Sequence, residues 1–305
     1  MEPPGVKTFE RKQECQDCAA EYTATVSRIY STELELSGKR CPACREKYWA
    51  EVAAEEEAEH QLKLAQTRRE WRVKSGIAPK FLTEDFSTYK HDPVTDKKKG
   101  WNLNEAYELC RDYAERFPVD YKTSLRGGKA YPSLLLYSLE EAGTKDRIAT
   151  DSWGVGKTHL ATAIAHRIID RWQGETETRI VDVISEPELF AKIQATFSYS
   201  QEERQHLPSA DQIVQGLTYR PWLVLDDMGK EERKDPQFVQ RTLFGLVDGR
   251  YKLLRPMVIT TNKSPEALRK YLAGNTGDEA VFSRLLEMCG GEFFRIRGQD
   301  YRRKG

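Results

Sequence analysis

The chain has no long apolar run. None of its 305 residues lies in a stretch approaching the ~20 apolar residues that a membrane-spanning helix needs. The opening residues, Met1–Thr8, lack the basic-then-apolar order of a signal peptide. No membrane partner is expected, and the expected location is cytoplasmic. Net charge is also missing. Forty-eight Lys plus Arg balance 48 Asp plus Glu, which excludes a globally basic protein that coats nucleic acid but leaves room for a local basic patch. Internal repeats and low-complexity tracts are absent. Cysteine is scarce and clustered, with four of the six in the first 45 residues. In a reducing compartment disulfides are rare, so those four call for another explanation. A mean hydropathy of −0.70 marks a hydrophilic chain, yet its apolar residues suffice for a core.

Composition divides the chain into a module over 1–45, a charged segment over 46–80 and a larger domain over 81–305. From Arg45 the sequence carries no Pro or Gly until Gly76 and is rich in Ala, Glu, Lys and Gln. That composition favours a helix, roughly 45 Å long at 1.5 Å per residue. Its apolar positions form no clean stripe, so a solvated connecting helix is expected rather than a coiled coil. Beyond residue 80, short apolar runs at Ser133–Tyr137, Arg179–Val183, Trp222–Asp226, Met257–Thr261 and Phe293–Ile296 alternate with helical stretches at Lys157–Trp172, Pro187–Ala195 and Pro236–Tyr251. Strands alternating with helices imply an α/β fold, a parallel sheet covered on both faces.

Cys15-Gln-Asp-Cys18 and Cys41-Pro-Ala-Cys44 are two C-x2-C knuckles with 22 residues between them. Each knuckle brings two thiolates onto one metal, and two knuckles complete a tetrahedral zinc site with Zn–S distances of about 2.3 Å. A redox dithiol would need only one pair, in a thioredoxin-like setting that is absent. Tyr22–Leu36 alternates apolar and polar residues, as the hairpin of a zinc ribbon does. With so little apolar sequence nearby, Zn²⁺ is expected to supply much of the module's folding energy. Cys110 and Cys289 stand alone and read as buried, inert thiols.

Gly154-Val155-Gly156-Lys157-Thr158 opens an apolar helix and matches the end of a Walker A loop. The glycines let backbone N–H groups wrap phosphates, Lys157 neutralises them, and the Thr158 hydroxyl suits Mg²⁺. The first Gly of the pattern falls on Asp151, and Ser138–Ser152 forms an enlarged connection from the preceding strand. Leu223-Val-Leu-Asp226-Asp227 reads as a Walker B strand. Asp226 is placed to hold Mg²⁺ and Asp227 to polarise the attacking water. Asn262, after the run ending Thr260-Thr261, is placed to contact the γ-phosphate or that water.

These motifs in this order, with Ser283-Arg284-Leu285-Leu286-Glu287 and Asp300-Tyr301-Arg302, resemble the DnaC/IstB branch of AAA+ ATPases. The resemblance runs from about Phe81 to the C-terminus. It implies an AAA+ P-loop domain with a five-stranded parallel sheet, ATP held between subunits, and self-association into a ring or spiral on ATP. The sequence ends soon after Phe293–Ile296, so no helical lid is expected. Arg284 falls where the family places an arginine finger that reaches a neighbour's γ-phosphate. The family's single-stranded DNA contacts map to the segment after the second strand, here with Lys192, Phe197, Tyr199 and Arg204, where bases stack on aromatics and cations track phosphates. The zinc module resembles the helicase-binding module of bacterial helicase loaders. The resemblance therefore implies a loader that places a replicative DNA helicase on single-stranded DNA. The alternatives are an IstB-like ATPase helper of a transposase and a zinc-bearing adaptor with an inactive phosphate loop.

Overall fold

The computed structural model describes residues 6–29, 32–35, 39–119, 131–139, 154–174, 178–230, 236–274, 277–298 and 300–301. The chain forms two compact units, Met1–Gln66 and Thr67–Gly305. In the first, β1 (Val6–Glu14), β2 (Glu21–Ile29) and β3 (Thr32–Glu35) make an antiparallel sheet in the order β1-β2-β3. The pairing β2–β3 is the expected hairpin. Strand β1, whose sequence VKTFERKQE is mostly polar, is a finding of the structure. It pairs with β2 along its whole length, from Val6↔Ile29 to Glu14↔Glu21. Helix α1 (Pro42–Lys74) starts within the second knuckle, because Pro42 at the first helical position has no N–H to leave unpaired.

The second unit is built on the five-stranded parallel sheet that the sequence implies. Its strands are β4 (Leu134–Tyr137), β5 (Val181–Ser185), β6 (Trp222–Met228), β7 (Met257–Thr261) and β8 (Phe294–Arg295), in the order β5-β6-β7-β4-β8. Every recorded pairing is parallel. Its longer helices are α2 (Pro93–Lys99), α3 (Leu103–Arg116), α4 (Lys157–Arg171), α5 (Glu186–Ala195), α6 (Ala210–Tyr219), α7 (Pro236–Lys252), α8 (Pro265–Ala273) and α9 (Ala280–Met288). The two-residue strand period sends alternate side chains to opposite faces. Leu134, Leu136, Trp222, Val224 and Val258 join a core with α3 and α4. Leu135, Leu223, Leu225, Met257 and Ile259 join a second core with α5, α7, α8 and α9. Leu189, Phe190 and Ile193 of α5 are buried there.

The last two turns of α1 belong to this unit. Trp71 is buried against Trp172, with ring centroids 6.4 Å apart. The Arg68 guanidinium donates to the Trp172 carbonyl at 2.6 Å, and Arg72 pairs with Asp170. The chain then crosses β5, an edge strand, where the Ser75 carbonyl accepts from the Val183 N–H at 2.6 Å. Gly76 has φ +83°, and a Cβ there would lie 2.2 Å from the Val183 carbonyl oxygen, so only glycine fits.

Arg250 of α7 is fully buried. Its guanidinium donates to the carbonyls of Leu217 (2.6 Å), Arg220 (2.9 Å) and Pro256. One side chain thus joins the end of α6, the entry to β6 and the turn into β7. Burial pulls its ionisation down to about 9, so it stays charged at neutral pH. Arg250→Ala leaves those carbonyls without this donor and is expected to cost about 3 kcal/mol or more. Arg250→Lys recovers only part of that, because a point charge does not reproduce the guanidinium fork. Urea unfolding followed by tryptophan fluorescence checks both; an unchanged midpoint for Arg250→Ala contradicts the assignment.

Candidate functional site

Parallel strands end at one edge of the sheet, and the candidate residues gather there. Gly154 (φ +87°) and Gly156 (φ +90°) carry the loop that opens α4. Both conformations favour glycine, and a Cβ on Gly156 would come within 2.6 Å of the Tyr89 ring. Tyr89 is buried and donates its hydroxyl to the Val155 carbonyl at 3.1 Å. Burial pushes its pKa well above the usual phenol range, which keeps it a donor. Tyr301 donates its backbone N–H to the Gly154 carbonyl at 3.2 Å and its hydroxyl to the Lys90 carbonyl at 2.6 Å. Asp151 lies outside the described residues.

Lys157, the first residue of α4, is buried. Its ammonium donates to Ser138 Oγ (2.6 Å) and Asn262 Oδ1 (2.7 Å). The Thr158 hydroxyl donates to both Asp226 oxygens at 3.0 Å, and Thr260 donates to the same carboxylate. Burial pushes the Asp226 carboxyl above its ordinary pKa, against the pull of its Thr260 hydrogen bond. A hydroxyl and a carboxylate converging beside a phosphate loop form a donor set that suits a hard cation such as Mg²⁺. Asp227 has φ +56°; its N–H donates to Thr260 Oγ1 at 2.9 Å, and its carboxylate pairs with Lys230 at 2.9 Å.

A cleft of about 820 Å³ lies over this edge. Lys80, Lys90, Lys157, Lys230 and Lys263 line it against two acids, Glu84 and Asp227. Its field therefore favours a polyanion. The 80–90 segment is held on α4 through His159, whose Nδ1 lies 3.1 Å from Glu84 and whose Nε2 lies 2.7 Å from the Asp85 carbonyl.

Lys157, Thr158, Asp226, Asp227 and Asn262 are thus brought together, with Gly154, Val155 and Gly156 beside them. Arg284 is not among the residues lining the cleft. It sits on α9, pairs with Asp248 at 3.1 Å and lies over the rings of Phe244 and Tyr251. Lys192 is exposed and paired with Glu188 at 2.8 Å. Phe197 is 62% exposed, edge-on to Phe238 at 5.7 Å, and Tyr199 is half-buried. These three also stand apart from the cleft lining. Tyr89 and Tyr301, which hold the loop, were not singled out by sequence reasoning, although both fall in segments that carry the family resemblance.

In the first unit, Cys15 and Cys18 occupy the turn between β1 and β2, while Cys41 and Cys44 flank the start of α1. Their four sulfurs lie within 4.8 Å of one another. Cys18 and Cys41 Sγ are 3.8 Å apart, close to the edge of a tetrahedron built on Zn–S bonds of about 2.3 Å. The Cys41 N–H pulls the Cys15 thiol down to about 6. Hydrogen bonding with Cys18 pushes Cys44 up to about 12. Four sulfurs this close resist ionising together unless a cation joins them, and the cluster could hold zinc. Cys110 is buried and Cys289 half-buried; burial raises both thiols, as suits inert residues. Among the described residues, no helix is long and apolar enough to cross a membrane.

Comparison with known proteins places this arrangement. The uncharacterized Escherichia coli K12 protein YdaV is 28% identical over 251 residues, covering 74% of this chain and 90% of that protein. Two solved structures are similar in fold. A DnaC helicase loader is 22% identical over 72% of this chain and 99% of its own, with a TM-score of 0.48. A DnaI structure is 18% identical over 72% and 94%, with a TM-score of 0.47. A family model described as IstB-like ATP binding protein matches residues 143–305. That match takes in the phosphate loop, both acids of β6, Asn262 and Arg284, and the chain belongs to the IstB-like ATP-binding protein family.

Proposed function

We propose that the chain is an ATPase that loads a replicative DNA helicase onto single-stranded DNA. The ATPase part is carried by one observation: Lys157, Thr158, Asp227 and Asn262 line one lysine-rich cleft, with Asp226 bonded to Thr158 beside it. Lys157 holds the phosphates, Thr158 and Asp226 hold Mg²⁺, and Asp227 polarises the attacking water. Bound magnesium supplies charge neutralisation on the phosphates. The loader part is supported by the four-thiol cluster, read as a zinc module that docks the helicase. Lys192, Phe197 and Tyr199 are assigned to the DNA strand, and ATP is assigned to assembly and release. The second reading, an IstB-like ATPase helper of a transposase, is equally compatible with the family match, whose description is IstB-like ATP binding protein.

Purified, unchelated protein is expected to carry one zinc per chain by elemental analysis. Cys41→Ser is expected to lose the metal and unfold the module while nucleotide binding persists, since the cleft belongs to the other unit. Full-length tagged protein is expected to copurify with a replicative helicase, and Cys41→Ser is not. Copurification with a transposase instead selects the second reading.

Asp227→Asn is expected to bind ATP and hydrolyse it slowly, because Asp226 survives while water activation does not. Hydrolysis at the wild-type rate transfers that role away from Asp227.

Arg284 lies outside the cleft of its own chain, which supports action on a neighbour. Arginine fingers supplied in trans are worth about 10³–10⁵ in rate. Arg284→Ala is therefore expected to bind ATP nearly normally and fail to hydrolyse it. Mixing it with Lys157→Ala at high concentration, with single-stranded DNA present, is expected to restore activity. One mixed interface then pairs an intact loop with an intact finger. No recovery despite co-assembly returns Arg284 to its role as the partner of Asp248.

A further inference from the structure

Glu186, the first residue of α5, has 0% exposure. A carboxylate is costly to bury unless its oxygens are satisfied. An acid at a helix start is ordinarily explained by the helix dipole. The partners of Glu186 instead come from two other elements. Oε2 accepts from the backbone N–H of Gly229 at 2.6 Å and of Lys230 at 3.1 Å. Oε1 accepts from the Tyr271 hydroxyl of α8 at 2.9 Å.

Gly229 and Lys230 follow directly on Asp227 and Met228. That stretch is not held by a regular ladder, because β6 shifts register against β7 between Leu225 and Met228. Asp227 is also a non-glycine residue at φ +56°, a conformation that persists only when its surroundings impose it. On the β7 side the turn is gripped by Thr260 Oγ1, which accepts from the Asp227 N–H, and by the Thr261 hydroxyl, which donates to the Met228 carbonyl at 2.6 Å. On the other side, Glu186 takes the Gly229 amide and shares the Lys230 amide with the Asp227 carbonyl, which lies 3.2 Å from it. We propose that Glu186 is a positioning residue for hydrolysis: its buried carboxylate fixes the turn that aims Asp227, and Tyr271 fixes the carboxylate. The kinetic part rests on the ATPase reading above; the mechanical part does not.

The test uses the full chain with Glu186→Ala, Glu186→Gln and Tyr271→Phe. In Glu186→Ala, amide hydrogen exchange at Gly229 and Lys230 is expected to quicken about tenfold or more while α4 is unchanged. The kcat for ATP is expected to fall about tenfold to hundredfold through misplacement of Asp227. Affinity for a fluorescent ADP analogue stays within about threefold, because the phosphate loop is untouched. Gln keeps an oxygen for the two amides and offers its NH₂ to the Tyr271 oxygen, so Glu186→Gln is expected to recover most of both effects. Unchanged exchange in Glu186→Ala overturns the proposal, and so does an equal kcat loss in the Ala and Gln variants. If Glu186→Ala does not fold, Tyr271→Phe decides. Faster exchange at the two amides with a severalfold lower kcat supports the role, and wild-type values for both overturn it. A wild-type protein that hydrolyses no ATP removes the ATPase reading and this proposal together. An active wild type matched by Glu186→Ala removes the proposal alone.

Discussion

Asp226 accepts from Thr158 at the start of α4 and from Thr260 on β7, while itself ending the apolar part of β6. Three elements that share no sequence neighbourhood are registered on one partly buried carboxylate. The apolar cores set the distance between helix and sheet, but apolar contact is non-directional. The polar contacts fix where along the sheet edge the phosphate loop stops. Lys157, one residue before Thr158, then falls within reach of Ser138 beyond β4 and Asn262 beyond β7. Parallel topology makes this possible, since β4, β6 and β7 all present their C-terminal ends on the same side.

The loop is closed from outside by two tyrosines distant in sequence. Tyr89 meets it at Val155 and Gly156, and Tyr301 meets it at Gly154. Gly156 therefore serves two needs, a left-handed turn and room for a ring. The 80–90 segment brings Lys80 and Lys90 to the same cleft. Its electrostatics thus come from stretches of chain that flank the phosphate-loop motif as well as from the motif itself. Exposed members of this set are screened by salt, whereas buried Lys157 is screened much less.

Much of this was legible in the sequence because it follows from periodicity and spacing. The apolar runs at Trp222–Asp226 and Met257–Thr261 are strands, since fully buried parallel strands are apolar on both faces. The C-x2-C pairs announce a cluster because the spacing alone constrains the sulfurs. Strand β1 was hidden, for its residues are mostly polar or charged with little apolar signal and its order comes from pairing with β2. The start of α1 was hidden because Pro42 reads as a turn residue, although proline suits a first helical position. Glu186 and Tyr89 were illegible for another reason. Each acts on backbone groups of a distant segment, and backbone groups leave no mark on the side-chain pattern. Arg284 was placed by resemblance; no spacing rule connects it to the phosphate loop.

The crossing at Ser75 and Gly76 has a consequence for how copies of this chain can meet. An edge strand with free amides is a template on which another strand can add. Here the outward N–H of Val183, at the middle of β5, is already taken by the Ser75 carbonyl, and the backbone at Gly76 lies too close to admit even a methyl group. The ladder is capped by the chain that enters the unit. At Val183 this edge offers no free amide on which a second strand could add. A second chain that meets this stretch of the edge meets side chains, and contacts between side chains are tuned by salt and substitution.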